Sequence, residues 1–519
     1  MNTDYDCIVI GAGPAGIVAV KECTENQLGK VLAIDASAAI GGNFAKAYDS
    51  LLLTSSCTVS MFSDFWIGDG FEKSFWTKAQ VLDYWQRYIA HYQIGDKFLL
   101  NETVTNVSED ARQHWQVQLQ SGRQFSAKRL IVATGASRIP ALPDWHSALS
   151  GISYQHSSSY KSAEALAGKR VLVVGGGESA ADIALEVARV ASKTWISLRH
   201  SPGWITPRRR GEEPADLSTH RGFWGLPRAF GRTAASRIVA FDRSLKHPVF
   251  DVIADLNSSL IDSKGPFGNF GTKTTALAEA IAEYDAELVG DIVQVSNGGR
   301  QLIDHCGQAL EDVDYVLFCT GYRNEAGFLP PALQAAGSNP RDLYKQMFHP
   351  AYGDRLSFVG TARPCFGSQF PLMEMQARYT ALVFAKRLSL PELAPMQQSI
   401  HADRERYTAQ LGHSAERVRA LVDFHHYLDD LAGLMGCLPP LWRYLWRHPR
   451  LWLRMVYGPT QSTQFRLTGP NAKPQLAREI LAKMPVSRFN HLVKIGLEGR
   501  LRHLLKGDIP GLTKPEKIS

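Results

Sequence analysis

Twice in this chain a short apolar strand runs straight into a glycine-rich loop and then into a helix. No other feature restricts the possible fold as strongly. The first copy is Tyr5–Ile10, then Gly11-Ala12-Gly13-Pro14-Ala15-Gly16, then the helical pattern Ile17–Glu25. Each glycine has its own task in such a unit. Gly11 permits the tight turn, Gly13 lets a pyrophosphate come up to the backbone, and Gly16 lets helix and strand pack closely. Phosphates then rest on the helix N-terminus, where unpaired N–H groups and the helix dipole favour negative charge. The next strand, Lys30–Ile34, ends in Asp35, 24 residues after Gly11. An acid there accepts hydrogen bonds from a ribose and repels a 2′-phosphate.

The second copy is the strand Gly168–Val174, the loop Gly175-Gly176-Gly177-Glu178-Ser179-Ala180 and a helix over Ala181–Ala191. Ala180 replaces the third glycine. The following strand, Thr194–Leu198, ends in Arg199-His200 rather than an acid, with Arg208-Arg-Arg210 soon after. A guanidinium grips a 2′-phosphate bidentately, so this loop is read as binding NADPH rather than NADH. Two such loops suggest one cofactor held permanently and a second that delivers hydride. Two further strands, Arg129–Ala133 and Asp314–Cys319, each end in a small-Thr-Gly turn (Ala133-Thr134-Gly135 and Cys319-Thr320-Gly321). Such turns let chain and cofactor approach closely where the chain crosses between domains.

Length sets the frame around these units. At 519 residues the chain exceeds one domain, and typical domain size gives about three. The 45% apolar and 21% charged shares exclude disorder, collagen and coiled coil as whole-chain descriptions. A net charge of +7 is too weak to argue for nucleic acid, though it permits an anionic substrate, cofactor or membrane surface. The seven cysteines are scattered without a CxxC, so neither a zinc cluster nor a redox dithiol is signalled, and no metal is expected. With no apparent leader and no apolar run of ~18 residues, the chain reads as cytoplasmic.

At this point the residues resemble a flavin-containing monooxygenase over nearly the whole chain. His156-Ser-Ser-Ser-Tyr160-Lys161 is similar to the end of that family's fingerprint ahead of the second loop. Phe358-Val-Gly360, Gly367-Ser-Gln-Phe-Pro371 and Glu374-Met-Gln376-Ala-Arg378-Tyr379 resemble its segment near the flavin ring. Tyr427–Ala432, Tyr457-Gly-Pro459 and Gln464-Phe-Arg-Leu-Thr-Gly-Pro470 resemble its C-terminal block. The resemblance implies an α/β fold with two Rossmann-like domains, the NADPH domain inserted in the FAD domain, and a mainly helical C-terminal extension. It implies FAD on the first loop, NADPH on the second, and Gln376 beside the flavin. It also implies NADPH-dependent insertion of one oxygen atom from O2, through a C4a-hydroperoxyflavin, into a soft nitrogen or sulfur nucleophile of a small molecule. Baeyer–Villiger oxygenation of a ketone, or NADPH oxidation releasing peroxide, uses the same cofactors; a Baeyer–Villiger enzyme would carry Trp where Tyr160 stands. A disulfide reductase needs a redox cysteine pair that the sequence lacks. A non-catalytic flavin-binding protein would not need both loops and Arg199.

Departures from the family pattern also matter. Gly41-Gly42-Asn43-Phe44 replaces Gly-Gly-x-Trp, and Asn43 and Phe44 are placed at the flavin. Ser50–Ser56 aligns on a segment with an asparagine beside the flavin, so Thr54 takes that position, and Thr54 and Ser55 become the candidate catalytic residues. Glu178 stands where an Asn is usual, and Ile152 replaces a fingerprint glycine. His156 is read as ordering the linker between domains rather than as a base. The expected boundaries are 1–166 for the first FAD part, 167–322 for NADPH, 323–410 for the second FAD part and 411–519 for the helical extension.

Two regions stay open. Gly203–Gly271 is irregular, aromatic and basic, and either lines a substrate entrance or covers a surface. In the C-terminal region, Trp442–Trp452 interleaves aromatics with arginines. From Phe489 onward, Leu492, Val493, Leu497, Leu501, Leu504 and Leu505 share one helical face, with Lys494, Arg500, Arg502 and Lys506 between them. That is the pattern of an interfacial helix with snorkelling cations, so peripheral membrane contact is one reading. A helix packed on its own protein, or on a second subunit, gives the same pattern, so a homodimer also stays open.

Overall fold

The structure is a computed structural model that describes residues 4–486, except 68, 69, 71, 72, 226–230, 413 and 415–417. The amphipathic pattern from Phe489 onward lies outside the described residues. One sheet has the strand order Phe98–Leu99, Val31–Ile34, Asp4–Ile10, Gln124–Val132, Trp115–Leu119 and Val104–Glu109. Leu356–Phe358 adds in parallel along the second half of Gln124–Val132. Successive side chains of a strand point to opposite faces. Cys7 and Val9 therefore enter one apolar core with the helices Pro14–Glu25 and Gln369–Phe384, while Ile8 and Ile10 enter another with Leu32, Leu130 and Phe358. Both faces are covered, which is why this strand reads as an unbroken apolar run rather than an alternation.

A second sheet repeats the plan with five parallel strands in the order Glu287–Val289, Lys193–Ser197, Arg170–Val174, Tyr315–Phe318 and Ser153–His156. Val171 and Val173 face one core, Leu172 and Val174 the other. The strand Ser153–His156 already belongs to this sheet, so the second unit begins before the expected boundary at 167. The short antiparallel pair Ile139–Pro140 and Tyr322–Arg323 joins the two crossings between the sheets.

Several elements depart from expectation. Both loop helices start early, at Pro14 and Glu178, because loop residues already form the first helical turn; proline at that position has its φ preset. Phe98–Leu99 and Val104–Glu109 are separate strands, with Asn101 at φ +59° lying between them. The stretch Gly203–Gly271 is not irregular: it contains the helices Gly231–Ser244 and Pro248–Ser258. The C-terminal region is mainly helical, with Leu393–Leu411, Phe424–Leu434, Leu441–Arg447, Pro449–Tyr457 and Pro474–Lys483. Among the described residues, no helix is long and apolar enough to cross a membrane.

A buried ionic cluster ties this C-terminal region to the first loop helix. Arg466, itself fully buried, reaches Glu22 of that helix and Glu374 of Gln369–Phe384, while Lys21 bonds Asp64. Breaking one partner of such a cluster leaves an uncompensated buried charge, at a typical cost of roughly 3–5 kcal/mol. The Gln464–Pro470 block therefore reads as a structural anchor.

Candidate active site

The two glycine loops share one geometry. Gly11 has φ +116°, and a Cβ there would stand 2.4 Å from the Ala133 carbonyl oxygen. Gly175 has φ +129°, and a Cβ would stand 2.3 Å from the Cys319 carbonyl oxygen. Each loop thus closes on the small residue of a small-Thr-Gly turn, which explains why both turns recur. Neither helix after a loop has a side-chain cap at its N-terminus. The first-turn N–H groups of Ala15 and Gly16, and of Ser179 and Ala180, therefore suit phosphate oxygens. At Gly177, no atom lies within 4 Å of where a Cβ would be, so the cradle is open. These features fit a dinucleotide at each loop.

The charge beside each loop differs. Asp35 accepts the Ala12 amide at 2.7 Å on one oxygen and the Ser37 amide at 2.7 Å on the other, so it stands at the first loop. Arg199 is exposed at the end of Lys193–Ser197, next to Leu198, whose side chain abuts Gly176. Among the described residues it has no ion-pair partner. Arg208, by contrast, is bound to the Asp182 carboxylate at 2.8 and 3.0 Å, and Arg209 lies over Phe75. Of the basic residues noted in sequence, Arg199 is the one that stands beside the loop with its charge uncommitted.

Residues from both units converge between the loops. Gly41 donates to the Ala12 carbonyl, and Asn43 donates to the Ser137 carbonyl at 2.7 Å. Phe44 packs edge-on to Trp85 at 5.2 Å and against Phe370. The turn carrying Thr54, Ser55 and Ser56 is held from behind by Leu53 N–H on the Trp76 carbonyl and Cys57 N–H on the Ser74 carbonyl. Thr54 is half-buried; Ser55 is buried, its hydroxyl 2.9 Å from that of Ser60. Lys273 spans the gap: its amide donates to Glu178 Oε1 at 3.1 Å and its Nζ to the Gly367 carbonyl at 2.8 Å. The second loop is thereby joined to the segment Gly367–Pro371 of the first unit. No motif announced Lys273, because both its partners lie about 95 residues away.

Gln376 departs from expectation. Its side chain is fully buried and committed to protein, accepting the Gly360 amide at 2.8 Å and donating to Tyr427 Oη at 2.8 Å. It therefore fixes the Gly360 turn, which packs on Ala15 of the first loop helix, and leaves no amide group for the flavin. His156 behaves as a linker residue. Its Nδ1 accepts the Ser158 amide, which leaves the proton on Nε2 to donate to the Gly321 carbonyl at 2.9 Å. Burial lowers its pKa, consistent with a neutral ring. Tyr160 is buried with its hydroxyl on Glu186 at 2.7 Å.

Comparison with known proteins bears on this arrangement. The family model described as flavin-binding monooxygenase-like matches residues 5–494. A 4-hydroxybenzoate brominase (decarboxylating) of Marinomonas mediterranea is 30% identical over 492 residues, covering 92% of each chain. Dimethylaniline monooxygenase [N-oxide-forming] 2 of Pan troglodytes is 29% identical over 490 residues, covering 89% of this chain and 88% of that one. Among solved structures, the S-allyl-L-cysteine S-oxygenase of Allium sativum superposes with a TM-score of 0.60 at 19% identity, covering 93% of this chain and 99% of that chain. That last likeness is one of fold.

Proposed function

This chain belongs to the flavin-binding monooxygenase-like family and is an FAD- and NADPH-dependent oxidoreductase; from there we propose that it transfers one oxygen atom of O2 to a soft nucleophile of a small molecule, with nitrogen or sulfur as the accepting atom. The observation that supports this reading is the Lys273 bridge, which ties the second loop to the Gly367 segment of the first unit, as a reaction space shared by two nucleotides would require. Bound there, NADPH supplies a hydride and FAD accepts it and activates O2. Asp35 and the first-turn amides of Pro14–Glu25 hold the ribose and pyrophosphate of FAD. Arg199 grips the 2′-phosphate of NADPH and so selects it over NADH. Half-buried Thr54 offers its hydroxyl to the flavin-facing side of the space, backed by the buried Ser55 hydroxyl on that of Ser60, and exclusion of water there protects the reaction. A nucleophile with its own lone pair needs no dedicated base, which accords with His156 being spent on the linker.

The brominase relative favours one alternative acceptor. Bromide is also a soft nucleophile, and oxygen transfer to it gives hypobromous acid, which brominates a phenol. NADPH consumption by the holoprotein, measured against amines, sulfides, bromide with a phenol, and ketones, separates these outcomes when peroxide is followed alongside. Product matching NADPH on an amine or sulfide supports the reading. Peroxide alone makes the protein an oxidase, and an ester from a ketone makes it a Baeyer–Villiger enzyme.

We also propose peripheral contact with an anionic membrane through Leu441–Arg447 and Pro449–Tyr457. Trp442 and Trp446 are 65% and 80% exposed, Arg443 lies over the Trp442 ring, and no acid occurs between Asp430 and Glu479. Flotation on anionic vesicles should fall when both tryptophans become alanine; equal recovery for both proteins would end the idea.

A further inference from the structure

A buried carboxylate of the inserted unit closes on the turn that carries Thr54 and Ser55. Asp216 lies in the turn Ala215–Ser218, just after the short pair Arg209–Arg210 and Glu213–Pro214. It is 7% exposed. One oxygen, Oδ2, accepts the Ser56 amide at 2.6 Å across 160 residues of sequence. The other, Oδ1, has no hydrogen-bond partner among the described residues. Burial pushes the Asp216 carboxyl above the ordinary range, while the Ser56 amide, the nearby charge of Lys273 and the Ser56 hydroxyl oppose that rise.

The Ser56 amide needs an acceptor because it precedes the short helix Cys57–Ser60, where backbone N–H groups have no partner within the helix. A carbonyl or an amide side chain would satisfy it. A buried carboxylate with one oxygen unbonded is a costly way to do so, unless the group is fixed by neighbours that matter to the site. Lys273 is such a neighbour, for it ties Glu178 on the second loop to Gly367 on the first unit. Asp216 thus stands where the inserted unit meets the reaction turn.

We infer that Asp216 is a positioning residue: its Oδ2 holds the Ser56 amide, and through that bond the docked NADPH unit sets the aim of Thr54 and Ser55 toward the flavin. This rests on the proposed placement of Thr54 and Ser55 at the flavin. The contact acts from outside the flavin unit, so the turn is completed only when the two units are together. Asparagine keeps an acceptor oxygen at the same place; alanine removes it.

Three variants of the FAD-loaded protein test this. Asp216→Ala removes the acceptor and Asp216→Asn retains it. Ser56→Pro removes the donor, but its ring Cδ takes the place of the N–H that points at Asp216 Oδ2, so it is made only together with Asp216→Ala. The readouts are the visible absorbance spectrum of the bound flavin and the peroxide released per NADPH consumed. Asp216→Ala should shift the spectrum and raise peroxide release severalfold, Asp216→Asn should restore both, and the Asp216→Ala/Ser56→Pro double variant should be no worse than Asp216→Ala. An unchanged spectrum and peroxide ratio in Asp216→Ala, no rescue by asparagine, or multiplied effects in the double variant would overturn the inference. If Asp216→Ala does not fold, Asp216→Leu, apolar and of similar size, takes its place in the comparison with Asp216→Asn. A wild-type protein that releases only peroxide with every substrate would defeat the proposed oxygenation, while the flavin spectrum would still report on the Asp216 contact.

Discussion

The two nucleotide units are nearly superimposable in plan and opposed in detail. Gly11 and Gly175 approach the carbonyls of Ala133 and Cys319 almost identically, at 2.4 and 2.3 Å from where a Cβ would stand. The differences sit at two places. The first unit has Gly16 where the second has Ala180, and the first ends its next strand in Asp35 where the second reaches Arg199. A Cβ at Gly16 would meet the Gly11 carbonyl oxygen at 1.9 Å, whereas Ala180 carries a Cβ and is simply buried. The first helix therefore packs closer to its loop. Scaffold geometry is shared; closeness of fit and local charge are what differ, and under the proposed function these two differences would decide which dinucleotide each unit takes.

The largest expected effect comes from erasing the difference in closeness. Gly16→Ala places a methyl group against backbone that has no side chain to give way. The purified protein should lose its bound FAD or bind it at least about tenfold more weakly, at a cost of ~1.4 kcal/mol or more, as read from flavin content and titration. The reverse exchange, Ala180→Gly, costs the fold only about 0.5–1 kcal/mol through helix propensity, and flavin content should stay as in the parent. Equal flavin loss in both would mean that the units do not differ in fit.

Reversing the charge difference should come next. Arg199→Ala removes a charge-assisted contact of ~1.5–3 kcal/mol, so KM for NADPH should rise about ten- to a hundredfold while use of NADH barely changes. A matching rise for both nucleotides would place the 2′-phosphate elsewhere.

A smaller effect tests the turn between the units. Threonine supplies one rotatable hydroxyl at the position where the family resemblance implies an asparagine, whose planar amide would supply two donors. Thr54→Asn should add a contact worth ~1 kcal/mol and lower peroxide released per NADPH severalfold, by peroxide assay against NADPH consumption. An unchanged or higher ratio would remove Thr54 from the account.

The smallest effect concerns the two small-Thr-Gly turns. Only the second is pinned by a histidine, through His156 on the Gly321 carbonyl. Burial lowers the pKa of His156, so the unfolded chain binds a proton more readily than the folded one. Stability from this group is therefore present above the ordinary histidine pKa of about 6.5 and is lost as pH falls below it. Hydrogen-exchange protection around Gly321, corrected for the intrinsic pH dependence of amide exchange, should fall between neutral and mildly acidic pH while that around Gly135 does not; parallel behaviour would show that His156 does not pin the turn.

Legibility followed distance along the chain. The first loop, its helix and Asp35 span 25 residues, so glycine spacing and strand patterning expose the unit whole. The second loop is equally plain for the same reason. The strand Ser153–His156 is not, because it joins its sheet only by pairing with Tyr315–Phe318. The helices Gly231–Ser244 and Pro248–Ser258 were hidden behind aromatic and basic residues that look irregular without their packing partners. Gln376 was placed at the flavin by resemblance, whereas its buried amide serves the Gly360 turn. Lys273 and Asp216 carry no local signal at all, since the Gly367 carbonyl and the Ser56 amide reach them only when the two units dock, and Glu178 is 95 residues from Lys273.

The central claim is that the Asp35 unit holds a flavin and the Arg199 unit delivers hydride to it specifically from NADPH. Anaerobic rapid mixing of the FAD-loaded protein with NADPH or NADH, followed by bleaching of the flavin absorbance, tests this before oxygen or substrate intervenes. The account predicts that NADPH bleaches the flavin much faster than NADH at equal, subsaturating concentration. Equal rates with both nucleotides, or no bleaching by NADPH, would contradict it.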